Sequence, residues 1–419
     1  MGCCDIADPA DPFAPLPLDA ALARLGGDYA CVVETESVAL KAAAGRILAE
    51  DVAAPFDAPP SPVSAMDGYG FVHPGPTGAE GQTTFRIIGR VPAGSMFDGV
   101  VGPGEAVRIF TGAPVPAGVD TVVMQEDCCA DGDAVTVRVT PKPGANIRPA
   151  GEDLAAGRVG LRSGMRLRAQ EIGLAAAMGR RSVLARKPLR VVLFSTGDEL
   201  REPGADKPAW AIYDTNRYAV GAQLTALGCL VEDLGILPDK PEAVRAALAE
   251  AATRADLLVT SGGVSVGEED HVKGVVQSLG RLDMWRLAIR PGKPLALGRV
   301  GDAVFLGLPG NPVSAMVTFM LMGRPLVLRL SGAAQRAPAR TLAVAGFALK
   351  KKAGRREFPR VRLAVGVDGI PTLEKFPNDS SGVLTSMVEA DGLADIPAET
   401  TEVKPGDLIG FLPFTGLYG

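Results

Sequence analysis

The chain of 419 residues has only two histidines, His73 and His271, which excludes a histidine-rich zinc site. Aromatic residues make up 5% of it, too few for a surface on which nucleic-acid bases would stack. The formal net charge of −5 provides no overall field for a polyanion, so no nucleic-acid partner is expected. The six cysteines are Cys3, Cys4, Cys31, Cys128, Cys129 and Cys229. None falls in a C-x-x-C pair, so zinc-ribbon and thioredoxin-type motifs are missing, and free thiols in a reducing compartment are expected. The acidic, proline-rich start from Asp5 to Pro17 is unlike a secretory signal. Ile6 stands where a myristoylation signal needs Ser or Thr. The longest apolar stretch, Phe319–Leu330, contains Gly323, Arg324, Pro325 and Arg329 and reads as too broken to span a bilayer. These absences predict a cytoplasmic protein with no membrane partner.

Glycine and proline, by contrast, are abundant, at 51 and 34 residues. Apolar residues reach 47%, so the excess marks turns between packed elements rather than disorder. The length suggests about three domains. Residues from about Leu18 to Asn146 carry short helical patterns followed by punctuated strand signals, as in Thr83–Gly89 and Ala134–Thr140. A helical pattern returns over Gln170–Met178, which suggests a β-rich insertion inside a partly helical unit.

From Lys187 to about Leu330 the pattern is regular. Apolar runs at Leu189–Phe194, Leu230–Leu237, Asp256–Thr260, Leu295–Leu297 and Ala303–Gly307 predict strands. Between them, helical spacing places Val220, Leu224 and Leu227 on one face, then Val244, Ala247, Leu248 and Ala251. A third helix runs through Val272, Val275, Val276 and Leu279. Asp214 or Thr215 is expected to cap the first helix. Asp239, with Glu242 three residues later, is expected to cap the second. Strands alternating with helices predict a doubly wound parallel α/β sheet. The stretch from Ala339 to Gly419 reads as short strands closing a small β-barrel or sandwich, with the basic run Lys350–Arg356 as a solvated turn.

Ligands of an open parallel sheet bind beyond the carboxyl ends of its strands. Thr196, Gly197, Asp198 and Glu199 follow the first strand. Ser261, Gly262, Gly263, Ser265 and Gly267 follow the third, and Pro309, Gly310, Asn311 and Pro312 the last. Glycines there let backbone N–H groups approach a phosphate at a helix N-terminus. Neither G-x-G-x-x-G nor G-x-x-x-x-G-K-[ST] occurs, which disfavours nicotinamide and P-loop nucleotide sites. Lys293, in Arg290-Pro291-Gly292-Lys293-Pro294, adds a cation. The acids Asp198, Glu199, Asp214, Asp239, Glu268, Glu269 and Asp270 crowd the same edge. Each could merely cap a helix or occupy its first turn. Beside a phosphate they repel the ligand unless a hard cation such as Mg²⁺ intervenes. Chemistry alone therefore predicts a Mg²⁺-assisted transformation of a small phosphorylated molecule.

Several segments resemble the molybdopterin molybdenumtransferases (MoeA and the E domains of gephyrin and plant Cnx1). They are Ser64–Tyr69, Thr111–Pro116, Val122–Glu126, Gly151–Asp153, Ser195–Leu200, Tyr213–Asn216, Ser261–Glu268, Pro291–Pro294 and Gly307–Pro312. The resemblance implies four domains in an elongated homodimer. These would be a split helical domain (14–52 and 148–186), an inserted β-rich domain (53–147), an α/β molybdopterin-binding domain resembling molybdopterin adenylyltransferases (187–330), and a C-terminal β-barrel (331–419). It implies insertion of molybdate into adenylylated molybdopterin, with Mg²⁺-dependent hydrolysis and release of AMP.

By this resemblance, Asp67 and Thr111 would complete the partner protomer's cleft. Glu199, Asp239 and Asp270 would hold the metal and serve molybdenum insertion, and Lys293 would bind an anion. Substrate contacts would come from Asp153, Asp214, Asn216, Arg290, Ser381 and the glycine-rich loops. Molybdopterin adenylyltransferase and acceptor molybdoenzymes or chaperones would be further partners. Arg290 departs from the family's usual Lys, Lys240 follows Asp239 where an acid or small polar residue is common, and Ser380–Met387 matches the serine-rich segment only loosely. Two other readings compete. An adenylyltransferase acting one step earlier is disfavoured by the motifs around Asp67 and Thr111. A non-catalytic scaffold of the gephyrin type is disfavoured by the retained acids and Lys293.

Overall fold

The computed structural model describes residues 15–75, 82–263, 271–335, 337–366 and 369–417. The site-bearing sheet has six strands: β1 (Arg190–Thr196), β2 (Leu230–Leu237), β3 (Leu257–Ser261), β4 (Gly280–Arg286), β5 (Pro294–Val300) and β6 (Ala303–Leu308). Their order is β2-β1-β3-β6-β5-β4. Helices α1 (Asn216–Ala226), α2 (Pro241–Ala251) and α3 (His271–Leu279) lie between strands, and a long helix, α4 (Pro312–Leu330), follows β6. Successive residues of β1 serve opposite faces: Val191 and Leu193 enter one core with Val220 and Leu224 of α1. Val192 and Phe194 enter the other with Val244 and Leu248 of α2 and Val272 and Val276 of α3. A strand buried on both faces needs a continuous apolar run, which is what Val191–Phe194 supplies.

Strands β2, β1, β3 and β6 are parallel, as expected. The sheet then continues with an antiparallel pair, β5 on β6 (Ala296↔Gly307) and β4 on β5 (Arg286↔Pro294). The reversal follows from the tight turn at Gly301, whose φ of 56° suits a hairpin between β5 and β6. It has a functional consequence, because the start of β5, next to Lys293, comes to the carboxyl edge of β6.

One of the two capping expectations needs correction. Helix α2 begins with Pro241 in its first turn and Lys240 in the cap position, with no side-chain cap bond. Proline fixes the helical start and drives the preceding residue into extended backbone, so Asp239 is left one position too early to cap. Thr215 occupies the cap position of α1 without a side-chain bond, while Asp214 Oδ1 accepts the Arg217 N–H at 3.2 Å.

Helix α4 runs unbroken for 19 residues, through the Gly323-Arg324-Pro325 segment expected to interrupt it. A π-turn at Phe319–Gly323 accommodates the proline, and a Cβ on Gly323 would come within 2.5 Å of the Phe319 ring. Length and composition would let α4 cross a bilayer, yet most of it is buried in this fold.

The segments flanking the insertion meet: strand Thr35–Ala39 pairs antiparallel with Ser182–Arg186. Val38, Leu48, Leu161, Leu167, Met178 and Val183 share one core. This unit therefore contains paired strands as well as helix Ala169–Ala177. Helix Leu18–Asp28 instead packs into the α/β core through Leu18, Ala21 and Leu25.

The residues between form a six-stranded sheet in which Gly68–Phe71 lies between Thr121–Met124 and Glu105–Ile109. Five strands near the C-terminus close into a barrel. The basic run beside it is not merely solvated. Arg356 holds the fully buried Asp395 at 2.6 Å and Asp19 of the first helix at 3.2 Å, and the Lys351 ammonium donates to two backbone carbonyls. A buried carboxylate needs such partners, and these ion pairs recruit the run into a clamp between regions.

Candidate functional site

Strand β1 lies between β2 and β3, so the chain leaves it toward opposite sides in the two crossovers, and a crevice opens where the order reverses. A cleft of about 510 Å³ occupies that crevice, with Thr196, Glu199, Asp214, Asn216, Ser261, Gly262, Gly310, Asn311 and Pro312 on its walls. Asn216 is the knot: its Nδ2 donates to Ser261 Oγ at 2.7 Å and to Gly310 O at 2.6 Å. Ser261 Oγ in turn donates to Pro309 O at 3.2 Å. One amide thus joins the start of α1 to the loops after β3 and β6.

Gly262 and Gly263 have φ values of 92° and 66°, a region other residues enter only with strain. A Cβ on Gly263 would stand 2.7 Å from Thr196 Oγ1 and 2.6 Å from Val272 Cγ2. The Thr196 hydroxyl is buried and has no hydrogen-bond partner within the described protein. Buried hydroxyls are normally satisfied, so this one is an exception in the cleft wall.

Asp214 is buried and belongs to a network around Arg217. The guanidinium reaches Asp214 at 3.0 Å, Glu202 at 2.5 Å and Asp233. Burial works against its charge, but the hydrogen bonds it donates to Asp214, Glu202 and Asp233 overcome this and raise its pKa. Asp214 therefore holds the start of α1 in place and has little carboxylate left over for a ligand. Nothing in the sequence reading singled out Arg217; its only signal was its place three residues after Asp214.

Of the expected metal ligands, Glu199 lines the cleft, exposed, whereas Asp239 is half-buried after β2 and is not part of the cleft wall. Asp270, Ser265 and Gly267 lie outside the described residues. Among the described residues no three acids, histidines or cysteines cluster as a metal site would require. Glu199 is one exposed carboxylate on the cleft wall, a donor set that would fit Mg²⁺ only as an ion keeping most of its waters.

Asp67 and Thr111 are brought together, but in the inserted sheet. Asp67 Oδ1 accepts from Thr111 N at 2.8 Å and from its Oγ1 at 2.7 Å, and these two bonds hold its carboxyl below the usual range. Asp153 is exposed, with its N–H donated to Ala58 O at 3.0 Å. Asp198 and Gly197 form the turn after β1, where Arg201 donates to Asp198 O at 2.8 Å. Lys293 is exposed at the carboxyl edge. Arg290 is 3.6 Å from the buried Glu357, a structural partner the sequence did not suggest.

Ser381 meets the site through its backbone, its carbonyl accepting from Val313 N at 3.0 Å in the first turn of α4. Its neighbours Gly382 and Leu384 line the cleft, as do Leu200, Lys207, Ile212 and Tyr213. Tyr213 and Leu200 fall in matched segments and Gly382 in the loosely matched serine-rich one; Lys207, Ile212 and Leu384 had no signal in the sequence. They are ordinary residues brought in by tertiary packing.

Comparison with known proteins agrees with this layout. Family models of the MoeA N-terminal region (domains I and II), a probable molybdopterin binding domain and the MoeA C-terminal region (domain IV) match residues 16–179, 192–329 and 343–414. A molybdopterin molybdenumtransferase of Haemophilus influenzae is 38% identical over 406 residues, spanning 96% of this chain and all of that one. A namesake from Nostoc sp. is 35% identical over 382 residues, spanning 89% of this chain and 87% of its own. The crystal structure of the molybdopterin biosynthesis moeA protein of Pyrococcus horikoshii superposes with a TM-score of 0.80 at 27% identity, over 95% of this chain and all of that one. Ordered motifs, a cleft at the strand-order reversal and full-length similarity thus converge, and the chain belongs to the molybdopterin molybdenumtransferase family.

Proposed function

We infer that this chain, a transferase of molybdenum cofactor biosynthesis like its relatives, inserts molybdate into adenylylated molybdopterin and releases AMP. The observation that carries the reading is the cleft itself, where two strain-tolerant glycines and an unpartnered buried hydroxyl meet two helix N-termini. Such a place favours a phosphate, since backbone N–H groups and helix dipoles point at it. In this reading Gly262, Gly263 and the Gly310–Asn311 turn seat phosphate oxygens, with the Thr196 hydroxyl donating to one of them. Glu199 would hold Mg²⁺, with Asp239 and Asp270 as the remaining acids. The ion would neutralise charge between the carboxylates and the phosphates. Lys293 and Arg290 would draw molybdate to the same edge.

Asp67 would act from a second protomer. Its carboxylate is oriented by Thr111 and kept ionised, so it can accept a proton from water or orient it. A cytoplasmic homodimer follows from this reading, with hand-over to acceptor molybdoenzymes.

The test is to incubate the protein with adenylylated molybdopterin, Mg²⁺ and molybdate, then measure AMP release and activation of an apo-molybdoenzyme. Neither signal from a folded protein would overturn the reading. Mixing Asp67→Ala with Glu199→Ala protein tests the shared site: activity returns in the mixture if each cleft draws on both protomers, and stays absent if each works alone.

A further inference from the structure

Strand Glu105–Ile109 of the inserted sheet carries two charged side chains, and they are partnered differently. Glu105 stands beside Arg86 and forms an ion pair with it at 2.6 Å. Arg108 stands beside Arg90 in the same register, a like-charge neighbour that a sheet normally avoids. Among the described residues no carboxylate lies within ion-pairing distance of Arg108. A solvated surface arginine would need no explanation, but this one is half-buried and held from several sides.

Arg108 Nη1 donates to Gly68 O at 3.1 Å, and Nη2 donates to Gln125 Oε1. Its guanidinium carbon lies 5.0 Å from the centre of the Tyr69 ring and 4.9 Å from that of Phe110. Gly68 and Tyr69 directly follow Asp67 in the chain, and Phe110 directly precedes Thr111. Gln125 N in turn donates to Asp67 O at 3.0 Å, and Gly112 N to Ser64 O at 2.8 Å ties the two turns together. One side chain thus grips the ends of strands Gly68–Phe71, Glu105–Ile109 and Thr121–Met124 where the Asp67–Thr111 pair projects. Charge-assisted hydrogen bonds and ring contacts together restrict a guanidinium that would otherwise be free.

We propose that Arg108 is a positioning residue for Asp67, its guanidinium fixing the turns on either side of the Asp67–Thr111 pair so that the carboxylate keeps one orientation. The inference rests on the reading above in which Asp67 acts on the substrate. The charge of Arg108 has a second effect. The two hydrogen bonds from Thr111 are the main cause of the low carboxyl pKa of Asp67, and Arg108 lowers it further against the opposing effect of burial. Arg90, over the Phe110 ring, and Glu126, beside Gln125, are the other charged groups at this corner. No ion pair consumes the Arg108 charge, so it is left to act on Asp67.

Variants of the full-length protein, followed by AMP release and by carbon-13 NMR titration of the Asp67 carboxyl, test the role. Arg108→Gln should lower kcat by about tenfold to a hundredfold with KM changed little, as when an acting group is misplaced, and move the Asp67 titration upward. Arg108→Lys keeps the charge without the fork, so the titration stays low and part of kcat returns. Arg90→Gln leaves both readouts at the parent's values, because Arg90 shares the Phe110 ring but donates no hydrogen bond to either turn. Should Arg108→Gln fail to fold, Gln125→Ala carries the test: it removes one anchor and keeps the charge, so kcat falls while the titration holds. Parent-like kcat and titration in Arg108→Gln, an equal loss in Arg90→Gln, or parent-like kcat in Gln125→Ala when Arg108→Gln is unfolded overturns the positioning role. Asp67→Ala separates this from the reading beneath it. If that variant is inactive while Arg108→Gln is not, only the positioning role falls. If the parent releases no AMP, or Asp67→Ala releases it as fast, the reading falls and the positioning role with it.

Discussion

The cleft of the α/β sheet and the Asp67–Thr111 pair of the inserted sheet use polar groups in opposite ways. In the cleft, the Thr196 hydroxyl is buried with no partner among the described residues, and Gly263 packs so closely against it that a Cβ there would stand 2.7 Å away. At the inserted sheet, Asp67 already accepts two hydrogen bonds from Thr111 and stands in solvent. The first arrangement leaves a group that the proposed phosphate ligand would complete. The second is complete and presents a charge in a fixed orientation. A binding pocket tolerates unsatisfied groups because a ligand can satisfy them; a group that would act across a dimer interface, as proposed for Asp67, has to be ordered beforehand.

The comparison can be broken most forcefully at Arg217. Arg217→Ala strips the buried Asp214 of its ion pair, and loss of about 3–5 kcal/mol in urea unfolding is expected. A stability within about 0.5 kcal/mol of the parent would show that the network is ornamental. Next, Gly263→Val forces a side chain against Thr196 and Val272 at positive φ. Destabilisation by about 1–3 kcal/mol and loss of phosphate-ligand binding by calorimetry should follow.

Thr196→Val tests the waiting hydroxyl. Its thermal stability should equal or exceed the parent's, because a buried unpaired polar group costs about 1–3 kcal/mol, while ligand affinity drops. A fall in both would mean that the hydroxyl has a structural partner.

At the other region, Asp67→Ala should abolish activity while leaving the melting temperature essentially unchanged, as circular-dichroism melts would show. The smallest effect concerns pH. The folded-state pKa of Asp67 is depressed, so its ionised form favours the fold above the ordinary carboxylate pKa and that contribution fades as pH falls below it. Removing one of the two bonds with Thr111→Val should move the Asp67 carboxyl pKa upward toward the ordinary value in a carbon-13 NMR titration. An unchanged value would mean that the backbone N–H alone sets it.

Much of the sheet was legible because buried parallel strands write themselves as apolar runs and their helices as apolar stripes. The residues Val191–Phe194 and Val244–Leu248 needed no partner to be read. One helix cap was less legible: Pro241, two residues past the expected cap, outweighed the Asp239–Glu242 spacing. The Phe319–Leu330 stretch misled in a similar way, since a π-turn lets the helix pass Pro325. The glycine loops were visible as candidate anion sites, but their chemistry needed their neighbours.

What the sequence determined by itself was therefore local: strand and helix content, the glycine-rich ends, and through ordered motifs the family. Which side chains share a wall was decided only by tertiary structure. Lys293 reaches the carboxyl edge because β5 runs antiparallel to β6, and no motif encodes a strand's direction relative to its neighbour. Arg217 gathers acids from Asp214, Glu202 and Asp233, and Leu384 reaches the cleft from beyond the helix. Contacts between residues far apart in the chain depend on how packed layers close on one another, and that closure is a property of the whole fold.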